Sequence, residues 1–135
     1  MTEVVRELIR DYSKAVRDLF DELLTVYPSF GMRPLGLTIP RRGPLPSGRE
    51  YSFHGIGCRF ERDSVTVDMD FGPKGRIDGF DAWRLYLFAE SRGSSATVDE
   101  IQASLNELKA AGEIVKQYKN SLGSHLYFPA GPFSA

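Results

Sequence analysis

Apolar residues recur at three- and four-residue spacing from the start of the chain: Val5, Leu8, Ile9, Tyr12, Val16, Leu19, Phe20, Leu23 and Leu24. That period draws one apolar stripe along a helix. Arg6, Arg10, Lys14, Arg17, Asp18 and Asp21 fill the remaining positions. The pattern predicts a helix from Thr2 to about Thr25 within an N-terminal segment, residues 1–27. Thr2 is placed to cap it, Glu3 suits the positive end of the macrodipole, and Pro28 stops it. Such a helix either lies on a sheet or binds a partner.

The period then vanishes. Residues 28–50 hold Pro28, Pro34, Pro40, Pro44 and Pro46 with Gly31, Gly36, Gly43 and Gly48, the composition of a loop. Leu35, Leu37 and Ile39 alternate and would suit a short edge strand. Arg33, Arg41, Arg42 and Arg49 precede the first acid, Glu50. The stretch is a solvated connector, or else a contact surface for an acidic partner or phosphate, with Arg41 and Arg42 as candidate partner-binding residues. It lacks the interleaved aromatics of a nucleic-acid groove.

From Tyr51 the period becomes two. With Arg62-Asp63 as a two-residue turn, Phe60 faces Val65, Cys58 faces Val67, Ile56 faces Met69 and His54 faces Phe71. That set is the core face. The opposite face pairs Arg59 with Thr66, Gly57 with Asp68 and Gly55 with Asp70. Asp68 and Asp70 then lie about 7 Å apart along one strand, with glycines across from them. This register gives His54 and Cys58 a structural place in the core, and Gly55 and Gly57 a structural place opposite the two acids.

Gly72-Pro73-Lys74-Gly75 reads as a turn. After a short extended piece or bend, Asp78 or Asp81 caps a helix running to about Ser91, and Gly93 suits its end. Trp83, Leu85, Tyr86, Phe88 and Ala89 make this helix apolar enough to expect burial on most sides. Thr97 and Glu100 form a capping box for a third helix over Thr97 to Ala111, with Val98, Ile101, Leu105 and Leu108 as its buried stripe and Gly112 as its stop. Ile114 to Lys119 and His125 to Phe128 read as two strands of a hairpin, and residues 129–135 as a loose tail.

The fold expected is α+β, one domain over 1–135: the N-terminal and Trp83-containing helices packed on a small antiparallel sheet, then a helix and β-hairpin of winged-helix outline. Between Gly93 and Leu108 there is room for one helix, where a DNA-binding form needs two. The third helix also exposes Asp99, Glu100, Gln102, Asn106 and Glu107 rather than cations. Nucleic acid is therefore disfavoured as a partner.

Composition narrows the classes. Apolar residues make up 41% and charged residues 26%, with net charge −1, as in ordinary globular proteins. One cysteine excludes an intrachain disulfide and a cysteine-based zinc site. No stretch approaches the ~20 apolar residues of a membrane span, and no secretory signal opens the chain. The expected location is the cytoplasm.

The residue types for metal or acid–base chemistry gather at Asp68, Asp70 and Asp78, with Asp81 and His54 nearby. Oxygen-rich sets of this kind suit Mg²⁺, Ca²⁺ or Mn²⁺. Asp78 and Asp81 also have structural work as turn and cap residues, and Arg59, Arg76 or Arg84 could close Asp68 and Asp70 as ion pairs. No spacing here is diagnostic, so no catalytic residue and no cofactor is assigned.

Phe53-His54-Gly55-x-Gly57-Cys58, Asp68-x-Asp70-Phe71-Gly72 and Gly75-Arg76-Ile77-Asp78-Gly79-Phe80-Asp81-x-Trp83-Arg84-Leu85 resemble a family of small uncharacterised bacterial domains. The resemblance spans about Tyr51 to Phe128, the family-like core of residues 51–128. It implies an immunity protein of a contact-dependent or polymorphic toxin system. The expected function is a non-enzymatic binder of a protein partner, a cognate toxin, with Asp68, Asp70, Arg41 and Arg42 as contact residues. The alternatives are a metal-dependent hydrolase or nuclease using Asp68 and Asp70, and a winged-helix-like nucleic-acid binder.

Overall fold

The computed structural model describes residues 1–26, 42–54, 57–60, 64–68, 78–119 and 124–131, with backbone alone at 53, 54, 57–59, 67, 68, 118, 119 and 124. The architecture is α+β, with elements in the order α1 (Thr2–Val26), β1 (Arg42–Pro44), β2 (Glu50–His54), β3 (Gly57–Phe60), β4 (Val65–Asp68), α2 (Ala82–Ser91), α3 (Val98–Ala110), β5 (Ile114–Lys119) and β6 (Ser124–Pro129). The chain forms two compact units. Met1–Ser13 joins Gly79–Ala135 in one, and Lys14–Asp78 makes the other, so α1 contributes to both.

In the first unit, the opening turns of α1 bury Val5, Ile9 and Tyr12. Tyr12 meets the rings of Phe80 and Phe88 edge-on, at 6.4 and 5.3 Å between centroids. Phe80 in turn stacks on Tyr127. The backbones of that pair exchange two hydrogen bonds, Phe80 N–H to the Tyr127 carbonyl at 3.0 Å and Tyr127 N–H to the Phe80 carbonyl at 2.7 Å. A short bridge thereby ties the entry of α2 to the C-terminal hairpin.

Both helices of this unit carry their boundaries locally. The Asp81 carboxylate accepts the Arg84 N–H at 2.8 Å, capping α2. At the other end Ser94 N–H reaches the Ala89 carbonyl and Gly93 N–H the Glu90 carbonyl, with Gly93 at φ +85°. That is the Schellman pattern, which needs a left-handed residue where glycine stands. Thr97 and Glu100 form the expected capping box for α3, and Gly112 closes it in the same way as Gly93 closes α2. Ile101, Leu105 and Leu108 are buried, together with Ser104. The hairpin follows, β5 pairing antiparallel with β6 from Ile114↔Pro129 to Lys119↔Ser124. Pro129, expected in a loose tail, is thus the last residue of a strand, and Ala130 N–H still reaches the Glu113 carbonyl at 2.9 Å.

Thr2 does not cap α1. It is already the first helical residue, Val5 N–H bonds to the Met1 carbonyl, and the Thr2 hydroxyl donates to the Glu107 carboxylate of α3. Arg6, expected on a solvated face, makes a bidentate pair with Glu113, both N···O distances being 2.9 Å, and also reaches Glu3.

In the second unit, Val16, Leu19, Phe20 and Leu23 of α1 are buried. Four antiparallel strands form a sheet in the order β1-β2-β3-β4. The segment read as loop contains β1, which pairs with β2 through a turn held by Leu45 N–H to the Arg49 carbonyl and Gly48 N–H to the Leu45 carbonyl. Residues 35–39, expected as an edge strand, lie outside the described residues. Tyr51, Phe60 and Val65, neighbours across three strands, are all buried.

The register between β3 and β4 matches the expected one at four positions: Phe60↔Val65, Arg59↔Thr66, Cys58↔Val67 and Gly57↔Asp68. Beyond Gly57 the expectation fails. The long first strand is two strands paired to each other, with His54↔Gly57, Phe53↔Cys58, Ser52↔Arg59 and Tyr51↔Phe60. The chain reverses between His54 and Gly57, so His54 pairs with Gly57 rather than Phe71. In the sequence, glycine directly after His54 is a hairpin signal.

Candidate functional site

The revised register changes what stands near Asp68. His54 pairs with Gly57, and Gly57 pairs with Asp68. The three residues therefore occupy one cross-strand row, with glycine on the middle strand. The expected separation of His54 from Asp68 onto opposite faces does not hold, because partners across a ladder share a face. Cys58 sits one row along, between Phe53 and Val67. Gly55 and Asp70 lie outside the described residues.

The arginines contribute elsewhere. Arg42 opens β1, is exposed and pairs with Ser52. Its row runs through Ser52, Arg59 and Thr66, and β1 and β4 are opposite edges of the sheet. Three strand spacings, about 14 Å, separate Arg42 from β4. Arg42 and Asp68 thus belong to opposite edges rather than to one patch. Arg41 lies outside the described residues.

Asp78 is buried and engaged in interactions within the protein, while Asp81 is the α2 cap. Among the described residues, no group of three or more His, Cys, Asp or Glu is placed to hold a metal ion. No described helix is long and apolar enough to cross a membrane.

Trp83 is where the structure departs most from expectation. It is 57% exposed, although α2 was expected to be buried on most sides. Ala82, Leu85, Phe88 and Ala89 turn inward. Trp83, Tyr86 and Glu90 then fall on another side, at spacings of three and four. The indole stacks on the Tyr86 ring, centroids 5.4 Å apart and planes 28° from parallel. The Tyr86 hydroxyl donates to Glu90 at 2.6 Å. That hydrogen bond, with the charge of Glu90, holds the Tyr86 hydroxyl above its ordinary pKa. Glu90 marks this polar side in the sequence and could have set the phase.

An open groove of about 270 Å³ lies between the first turns of α1 and the α2–α3 connection. Val4, Leu8, Ala96 and Ile101 line it, and an ion pair of Asp11 with Arg92 at 2.9 Å stands at its wall. Its volume falls below the usual range for small-molecule pockets.

The Arg6–Glu113 pair is a tertiary feature with no local signal, since its partners are 107 positions apart. The Arg6 guanidinium holds the Glu113 carboxyl below the usual carboxylate range, mainly through the hydrogen bond. The carboxylate raises Arg6 reciprocally. Glu100 is likewise held low by the backbone N–H and hydroxyl of Thr97.

No curated protein and no solved structure matches this chain. Residues 5–129 match the model of a domain of unknown function, DUF6896. That match takes in α1, the four-stranded sheet, α2, α3 and the hairpin, so the chain belongs to the DUF6896 family.

Proposed function

We propose that this protein is a non-enzymatic binder that captures and neutralises a cognate toxin in the cytoplasm, as immunity proteins do. The observation that carries the reading is the exposure of Trp83 on a helix capped at both ends. Tryptophan and tyrosine dominate the energetics of protein interfaces because they bury large area with few rotamers to freeze. The Tyr86 stack holds the indole in place before any partner arrives, which reduces the ordering cost of binding. The motif resemblance supplies the toxin context.

The test is co-expression. The gene directly upstream of this one is expressed alone and together with this chain. The expected result is growth arrest by the upstream product, relief by the wild-type chain, and loss of relief with Trp83→Ala. An upstream product harmless alone, or relief untouched by Trp83→Ala, would overturn the reading.

A second reading, metal-dependent hydrolysis with Asp68 and Asp70, is favoured by the row that joins His54, Gly57 and Asp68. Imidazole and carboxylate are the residue types for proton transfer or metal ligation. It requires turnover of a nucleic-acid or ester substrate with Mg²⁺ or Mn²⁺, abolished in Asp68→Asn with the unfolding temperature unchanged. Turnover surviving Asp68→Asn would dismiss it.

A further inference from the structure

Resting on the binder reading, we propose that the Trp83–Tyr86–Glu90 face of α2 receives a cationic segment of its protein partner. One arginine or lysine lies on the free side of the indole, and a second meets Glu90.

One side of the Trp83 ring is taken by Tyr86, and the residue is still more than half exposed. Indole is the strongest of the aromatic cation acceptors. Two turns along, Glu90 is exposed and oriented by the Tyr86 hydroxyl. Seven residues of helix separate Trp83 from Glu90, about 10 Å along the axis. Two basic side chains one or two turns apart on a partner helix, or a few residues apart on a strand, would span it.

Of the charged residues of α2, Glu90 is the one that shares this face. Arg84 turns its Nη1 to the Gly79 carbonyl at 3.2 Å. Arg92 pairs with Asp11 and lies over the Phe88 ring. Among the described residues no cation pairs with Glu90. The last turn of α2 has no basic residue, and Glu90 stands there, at the negative end of the helix dipole. A carboxylate at that end is locally unfavourable. Its hydrogen-bond donor, the Tyr86 hydroxyl, is neutral, so the charge of Glu90 is left for a ligand to meet.

Trp83 is the one tryptophan of the chain, so its emission reports on this face. The full-length protein is titrated with an alanine-based helical peptide carrying arginine at two positions seven apart, and with the same peptide carrying glutamate there. The expected result is a saturable emission change with the arginine peptide only. It weakens with added salt, and about two- to fivefold in Glu90→Gln. No change with the arginine peptide overturns the proposal. So does an equal response to the glutamate peptide, a response to neutral phosphatidylcholine vesicles alone, or emission that follows protein concentration alone, the mark of self-association. If relief of toxicity still depends on Trp83 while the arginine peptide has no effect, the binder reading stands and the cationic partner falls.

Discussion

Replacing Gly79 with alanine adds one methyl group where there is no room for it. A Cβ at this position would lie 2.9 Å from Cε1 and Cζ of Phe128 and 3.0 Å from Cδ1 of Leu126. Carbon atoms pack at about 3.5–4.0 Å, so the neighbours must yield by more than half an ångström. Phe128 and Leu126 are each 1% exposed and cannot swing into solvent. The backbone cannot retreat easily either, because Phe80 is bonded both ways to Tyr127. Gly79 does not occupy the left-handed region, so the penalty is steric rather than conformational. Overpacking of this kind costs about 1–3 kcal/mol. The assay is urea unfolding followed by Trp83 emission, which reports on the same compact unit. The midpoint should fall with the slope unchanged, by roughly 0.5–1.5 M for a slope near 2 kcal/mol/M. Phe128→Leu removes the ring that carries the two closest contacts. In that background Gly79→Ala should cost less by on the order of 1 kcal/mol, a coupling expected of residues in contact. Equal penalties in the two backgrounds, or Gly79→Ala within about 0.5 kcal/mol of wild type, would refute the packing argument.

Two further outcomes test the local and the tertiary electrostatics. Thr97→Ala removes the acceptor for Glu100 N–H at 3.2 Å and should cost about 1 kcal/mol in the same unfolding assay, with Thr97→Asn retaining most of it. Glu113→Gln should lower stability at neutral pH. Because Arg6 depresses the folded Glu113 pKa, this contribution is present above the unfolded carboxylate value of about 4.3 and is lost as pH falls through the folded value. The gap between wild type and Glu113→Gln should close across that acid range, and a gap constant from pH 7 to pH 3 would show that the pair is not its source.

The local chemistry of α2 and α3 was legible because it closes within a few residues. Asp81, one of two candidate caps, the Thr97–Glu100 box and the glycine stops at Gly93 and Gly112 each involve groups about one helical turn apart. The β3–β4 register was legible because alternation and a short turn leave few other pairings that bury Phe60 and Val65. The strand before it was misjudged because one phase of alternation was carried across it, whereas the register pairs odd-numbered Tyr51 and Phe53 with even-numbered Phe60 and Cys58, so the phase inverts at the reversal between His54 and Gly57. Residues three apart across such a connection share a face, so the move of apolar positions from Tyr51 and Phe53 to Cys58 and Phe60 was the local mark of the reversal. Trp83 was misplaced because apolar content alone does not set helical phase, and Glu90, seven residues on, was the local mark of the exposed side.

Periodicity placed three helices, an alternating β region and a C-terminal hairpin, and caps acting within about one turn marked the ends of α2 and α3. The tertiary structure alone decided which surfaces those elements share. It paired Arg6 with Glu113 and Thr2 with Glu107 across more than a hundred residues. It set His54 in the row of Asp68 and closed Phe80 and Phe88 on Tyr12. The physical reason is range. Capping and pleating are settled by neighbouring backbone groups, whereas burial and charge pairing depend on which distant surfaces meet, and no local spacing records that.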